Sequence, residues 1–256
     1  MSRYKLILEY DGTTLIGWQE NPGGISVQSL LQDAVFKFSG ENVVVHSAGR
    51  TDAGVHAMAM VAHFDLTKET DANTVMQALN FYLNKNPVCV LDCEVVSDDF
   101  HSRFSCIRRN YRYIILNRRA PAVLERDKVW WVPRKLDLKK MKLAAEKLIG
   151  NHDFTSFRAA ECQAKSPIKT LDKIEIKTHK TEHGQYIHID FSARSFLHHQ
   201  VRNIVGTLVE IGLGKPFEID EILVAKNRSA AGPTAPASGL YFVSAEYPTI
   251  GSLVCE

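Results

Sequence analysis

Long apolar runs are missing from this chain: none of its 256 residues lie in a stretch approaching the roughly 20 apolar residues that span a bilayer. The opening segment, Met1 to Tyr10, is a short charged strand with neither a signal-peptide core nor a cleavage site. Cysteine is scarce. The five present (Cys89, Cys93, Cys106, Cys162 and Cys255) are odd in number and scattered, which argues against a disulfide framework and for a reducing, cytoplasmic home. Metal-ligand spacing is missing too. There are ten histidines but no His-Glu-x-x-His, and Cys89 with Cys93 has no second close Cys/His pair, so no metal site is expected. What remains is a chain 45% hydrophobic and 23% charged, ample for a buried core in one large domain or two small ones.

Charge is nearly balanced overall at +2, but it is unevenly placed. Residues 101–150 hold 14 of the 31 Lys and Arg against four acids, a local balance of +10, which leaves the rest at −8. Phe104, Tyr111, Tyr113, Trp130 and Trp131 sit among these cations. Cations that neutralise phosphates, interleaved with rings that stack on bases, suit a nucleic-acid surface. Lys139, Lys140, Lys142 and Lys147 fit the solvated side of a helix instead. The arginines Arg103, Arg108, Arg109, Arg112, Arg118 and Arg119 are the expected nucleic-acid contacts, with Arg108, Arg109 and Arg112 foremost.

Periodicity predicts a repeated layout. Tyr4 to Tyr10 alternates as a strand, and Ser26 can cap a helix whose Val27, Leu30, Leu31, Ala34, Val35 and Phe38 share a stripe. Strands at 43–47 and 58–65, a helix over 73–83 and a strand at 88–96 complete β-α-β-β-α-β. The second half repeats that order: a strand at 111–116, a helix over 138–149 that Gly150 ends, a hairpin of 171–177 with 186–191, a helix carrying Val201, Ile204, Val205, Leu208 and Val209 on one face, and a strand at 240–245. Long connections at 118–136, 150–170 and 212–239 interrupt it. Two ferredoxin-like halves, 1–105 and 106–256, are therefore expected: an α+β protein with a central, mostly antiparallel sheet and a cleft between the halves.

Gly49-Arg50-Thr51-Asp52-Ala53-Gly54-Val55-His56-Ala57 puts one carboxylate in a loop punctuated by two glycines, which can be tight and approach a ligand closely. An isolated Asp-Ala-Gly would be an ordinary turn. The whole stretch, however, resembles the signature of the TruA family of tRNA pseudouridine synthases. Tyr10-Asp11-Gly12-Thr13 with Gly17-Trp18-Gln19, Arg109 to Tyr113, His152-Asp153-Phe154 with Phe157-Arg158, Phe196 to Gly206, and Thr234-Ala235-Pro236 with Gly239-Leu240 carry the resemblance along nearly the whole chain. Leu15 and Gln200 depart from the residues usual in the family.

The resemblance implies a pseudouridine synthase fold and the conversion of uridine to pseudouridine at positions 38, 39 and 40 of the tRNA anticodon arm. It implies a homodimer, with no cofactor or metal. It makes Asp52 catalytic and sets Tyr111, Arg202, Arg50 and Leu240 against the substrate. Tyr111 would stack on the target base. Arg202 would hold the carboxylate ionised and oriented. Arg50 would either hold the loop or replace the extruded base, and His56 would tie the loop down. Whether Asp52 attacks covalently or removes a sugar proton stays open, since a carboxylate can do both. A base inside a stem must be flipped out to react. The competing reading is a noncatalytic RNA-binding module built from tandem β-α-β-β-α-β units, but the third-strand region lacks the Gly-Phe-x-Phe-type aromatics such modules use.

Overall fold

The computed structural model describes residues 1–248; Cys255 lies outside the described residues. Contacts divide the chain into two compact units, one formed by Met1–Arg109 with the segment that begins at Tyr241, the other by Asn110–Leu240. The described elements make an α+β protein whose strand pairs are mostly antiparallel.

In the first unit, β1 (Ser2–Tyr10), α1 (Val27–Ser39), β2 (His46–Ser47), β3 (His56–Leu66), α2 (Ala72–Leu83) and β4 (Val88–Val96) follow the predicted order. Alternation in β1 buries Tyr4, Leu6, Leu8 and Tyr10 on one face. Helix α1 starts where Ser26 accepts the Ser29 N–H in a reciprocal capping box, and it ends at Gly40 in the left-handed region (φ 78°). Its buried Val27, Leu31, Ala34 and Val35 form the core-facing stripe, and each larger apolar side chain among them adds about 2 kcal/mol of burial. Asp71 caps α2 through the Thr74 N–H. The strands run β4-β1-β3, and β10 (Leu240–Glu246) lies next to β3.

The edge of β3 is shared. Strand β2 pairs with its far end (His46↔His63, Ser47↔Ala62), while β10 pairs in parallel with its near end (Tyr241↔His56, Phe242↔Ala57). The glycine-punctuated loop between the strands expected at 43–47 and 58–65 is therefore not a simple hairpin turn. It leaves the sheet after Ser47 and rejoins it at His56, and the last strand occupies the room it vacates. Chain order had set 240–245 with the second half; its parallel partner is in the first. Beside β2, His46, His63 and His101 form a ring cluster, with His63 5.0 Å from His46 and 4.6 Å from His101 between centroids.

The second unit runs β5 (Arg108–Asn117), β6 (Trp130–Val132), α3 (Leu138–Glu146), β7 (Gly150–Asp153), β8 (Ile168–Thr181), β9 (Gly184–Ala193), α4 (Gln200–Gly212) and α5 (Ile219–Ala225), with strand order β5-β9-β8-β7 and β6 parallel to β5. Helix α3 stops at Glu146, three residues short of the expected end, and Gly150 opens β7 rather than capping the helix. Elements β6, β7 and α5 occupy the connections expected to be irregular. Each is too short for its hydrophobic pattern to repeat often enough to be read. Lys139, Lys140, Lys142 and Lys147 are exposed on and just after α3, as expected. No helix among the described residues is long and apolar enough to cross a membrane.

Candidate active site

The Asp52 loop rests on the chain that follows β1. Tyr10 shares a hydrogen bond between its hydroxyl and that of Thr51 at 2.8 Å, with both residues buried. Trp18 donates its N–H to the Thr51 carbonyl at 3.0 Å, Gly54 donates to Leu15 at 3.4 Å, and Asp52 forms a bridge with Gly17. The loop closes on itself through the Val55 N–H to the Asp52 carbonyl at 3.2 Å. Thr51 and Val55 are buried, Asp52 is half-buried, and Arg50 and Ala53 are exposed. The backbone of Asp52 is thus clamped on both flanks, and the residue is half-buried.

Two glycines make this contact possible. A Cβ on Gly12 would lie 2.0 Å from the Val55 carbonyl oxygen. One on Gly17, at φ 105°, would lie 2.5 Å from the Thr51 oxygen. His56 closes the arrangement: its Nδ1 accepts the Gly12 N–H at 3.0 Å, and its ring stacks on Tyr241 at 4.7 Å. It ties the loop down as expected.

In the second unit α4 is buried along almost its whole length, and Arg202 is half-buried on it. The Arg202 Nε donates to the Ala235 carbonyl at 2.9 Å, and the Ala235 N–H returns a bond to the Arg202 carbonyl at 3.1 Å. Next to it the fully buried Asn203 donates to the Phe157 carbonyl at 2.8 Å and accepts from the Thr234 hydroxyl (2.7 Å) and Arg228 Nη2 (3.1 Å). Gly206, one turn on, lets the Pro233 carbonyl sit where a side chain would be, 1.7 Å from an ideal Cβ. Tyr113 donates to the Pro236 carbonyl at 2.7 Å, and its ring occupies the space beside Gly239. Burial pushes the Tyr113 phenol well up, tempered by the Arg202 charge. Segment 233–240, which ends in the buried Leu240, is thereby fastened to α4 and β5. Tyr111, largely buried on β5, meets Phe196 edge-on at 5.1 Å.

Residues 6–105 and 144–248 match the family described as tRNA pseudouridine synthase. The chain is 55% identical over 249 residues to the tRNA pseudouridine synthase A of Rhodospirillum centenum, covering 96% of this chain and 100% of that one. It is 50% identical over 253 residues to the enzyme of the same name from Paramagnetospirillum magneticum (98% and 97% covered), and 49% identical over 250 residues to that of Maricaulis maris (97% and 99% covered). The chain belongs to the tRNA pseudouridine synthase family.

This member of the family does not present its basic run as one surface. Arg108 is exposed and pairs with Glu246 at 3.1 Å. Arg109, expected on the RNA face, is buried; its Nε donates to the Ala48 carbonyl at 2.8 Å and its Nη2 to that of Arg103 at 2.7 Å. It braces the start of the Asp52 loop. Arg112 makes a forked pair with Asp190 (2.6 and 3.1 Å), which holds its guanidinium pKa above the usual value and offsets its charge. Chain-order charge counting cannot see such partners.

Site supports that sequence reasoning left without roles are Tyr10, Gly12, Gly17, Asn203, Arg228 and Thr234. The signal for Asn203 was present: an amide inside the apolar stripe of α4 must find partners or cost stability.

Proposed function

We propose that this chain isomerises uridine to pseudouridine at positions 38, 39 and 40 of the tRNA anticodon arm, with Asp52 as the catalytic carboxylate. As a tRNA pseudouridine synthase it is an isomerase acting on tRNA. The observation that carries the assignment to Asp52 is its backbone clamp: the bridge to Gly17 and the bonds through Thr51 and Gly54 leave one half-buried carboxylate in a loop that cannot wander. Pre-positioning of this kind lowers a barrier without any motion at the moment of reaction.

The reaction breaks the bond from N1 to the ribose, turns the uracil and joins C5 to the same ribose carbon. The C5 proton leaves and N1 gains one, so the step is redox-neutral and needs a carboxylate, a grip on the base and a proton acceptor. Tyr111 stacks on the flipped base, Leu240 supplies an apolar contact, and Arg202 keeps the Asp52 carboxylate ionised. Arg50, exposed beside Asp52, reaches the RNA, and Arg108 meets phosphates. The first half carries the catalytic loop, and the second carries Tyr111, Arg202 and the basic segment. The enzyme works in the cytoplasm as a homodimer and without a metal.

Carbodiimide labelling with primer extension tests this on unmodified tRNA in the presence of EDTA. Stops at 38 to 40 with the wild type, and none with Asp52→Asn, are expected. Tight tRNA binding with no stops would favour the noncatalytic module.

A further inference from the structure

At one end of the second unit the last residues of β5, the turn joining β8 to β9 and the segment after β6 line a cavity of about 390 Å³. Arg118, Arg119, Lys135 and Lys180 line it, and none of its lining residues is acidic. In the same unit Arg112 is neutralised by Asp190, Lys147 by Asp220 and Lys173 by Glu175. The four around the cavity make no ion pair among the described residues. Arg118 is aimed by two carbonyls, those of Ala120 at 3.1 Å and Pro121 at 3.0 Å, which orient the guanidinium without cancelling its charge.

The walls are built rather than incidental. Buried Asn117 donates to the carbonyls of Val132 (2.8 Å) and Arg134 (2.7 Å), tying the Lys135 segment to β5, and its Oδ1 accepts from Gln185 at 3.1 Å. Gly184 lets the start of β9 press against Arg118, where an added Cβ would lie 2.5 Å from the Arg118 Cβ. Four like charges held around one concavity repel each other until an anion enters.

We propose that this cavity binds the phosphodiester backbone of the RNA substrate, away from the reacting nucleotide. Tyr111 and Asn117 lie six residues apart on β5, about 20 Å at the rise of an extended strand. That corresponds to about seven base pairs of an A-form RNA stem, at ~2.8 Å each. With Tyr111 at the target base and the stem running along β5 away from its loop, the cavity meets RNA beyond the anticodon stem-loop and adds a grip that an isolated stem-loop cannot use. The placement rests on the proposed role of Tyr111.

The test replaces Arg119→Gln, Lys135→Gln and Lys180→Gln together and leaves Arg118 to hold its loop. Binding and turnover are measured with full-length tRNA and with the isolated anticodon stem-loop over a salt series, alongside the melting temperature. With full-length tRNA, Kd and KM should rise about tenfold, kcat should stay level, and the slope of log K against log salt should shrink by about two to three. With the stem-loop nothing should change. An unchanged Kd and slope on full-length tRNA would overturn the proposal, as would an equal loss on both RNAs. Inorganic phosphate titrated alone provides the remaining arm: if it saturates the wild type but not the variant while tRNA binding is untouched, the site serves a free anion and the RNA assignment falls. Should the wild type form no pseudouridine in either RNA, the proposed function fails, and the tRNA Kd comparison still judges the cavity.

Discussion

The two units fasten their loops by different means. In the first, backbone lies directly on backbone: Gly12 and Gly17 admit the Val55 and Thr51 carbonyls to distances that any side chain would forbid. In the second, a network of side chains does the fastening, with Asn203 joining Phe157, Thr234 and Arg228 while Arg202 holds Ala235. A backbone seat is stiff and tolerates no added atom. A side-chain network can lose one member and degrade by steps.

The strongest way to sharpen that contrast is to empty the stiff seat of its chemistry. Asp52→Asn should lower single-turnover pseudouridine formation by at least about a thousandfold while tRNA affinity stays within about twofold. A small loss would mean that the seat positions something other than the catalytic group. Breaking the seat itself comes next. Gly12→Ala should cost about 3 kcal/mol or more in urea unfolding and remove activity with it, because the clash is with main chain that cannot swing aside.

A titration of similar size belongs to the first unit. His63 is 2% exposed, and its Nδ1 accepts the Ser102 N–H at 3.2 Å, so the ring is neutral. Burial, with His101 and His46 alongside, pulls its pKa down to about 4 from 6.5. The unfolded chain therefore takes up this proton first as pH falls. The stabilisation is complete above pH 6.5, declines between 6.5 and 4, and is gone below, a loss of about 3 kcal/mol from this residue. Urea midpoints measured from pH 7 to pH 4 should show that decline, and His63→Gln should flatten it.

In the second unit, Asn203→Ala strands the buried Phe157 carbonyl and frees Arg228 and Thr234, and should cost about 2–3 kcal/mol, with kcat falling more than KM rises as Arg202 loses its fixed neighbour. Equal sensitivity at Asn203 and Gly12 would erase the distinction drawn above. The smallest effect is expected at Arg108→Ala, which should reduce the salt slope of tRNA binding by about one and leave stability unchanged. Arg109→Ala, by contrast, should destabilise the protein through the freed Ala48 and Arg103 carbonyls.

Much of this fold was legible in the sequence because its long elements obey simple periods. The β1 alternation, the Ser26 cap and the α4 stripe appear where the pattern puts them. What escaped was short or set by distant partners. Three-residue β6 shows no period, and β10 pairs with a strand laid down far earlier in the chain. At the site, the sequence marks Asp52 and its glycines but is silent on what Gly12 and Gly17 touch, since close approach is a property of two segments. Likewise the arginines of 101–119 look alike as letters, and only their neighbours separate the exposed Arg108 from the buried Arg109 and the paired Arg112.

The pairing of β10 with β3 also bears on how the protein is made. A ribosome releases β3 long before it reaches Tyr241, and at ordinary translation speeds the wait is on the order of ten seconds. Through that interval the near end of β3, beginning at His56, has an open edge, and the ring that stacks on His56 has yet to be synthesised. A nascent or prematurely terminated chain therefore carries Asp52 without the strand that seats its loop, and only a chain translated through Phe242 can complete the seat.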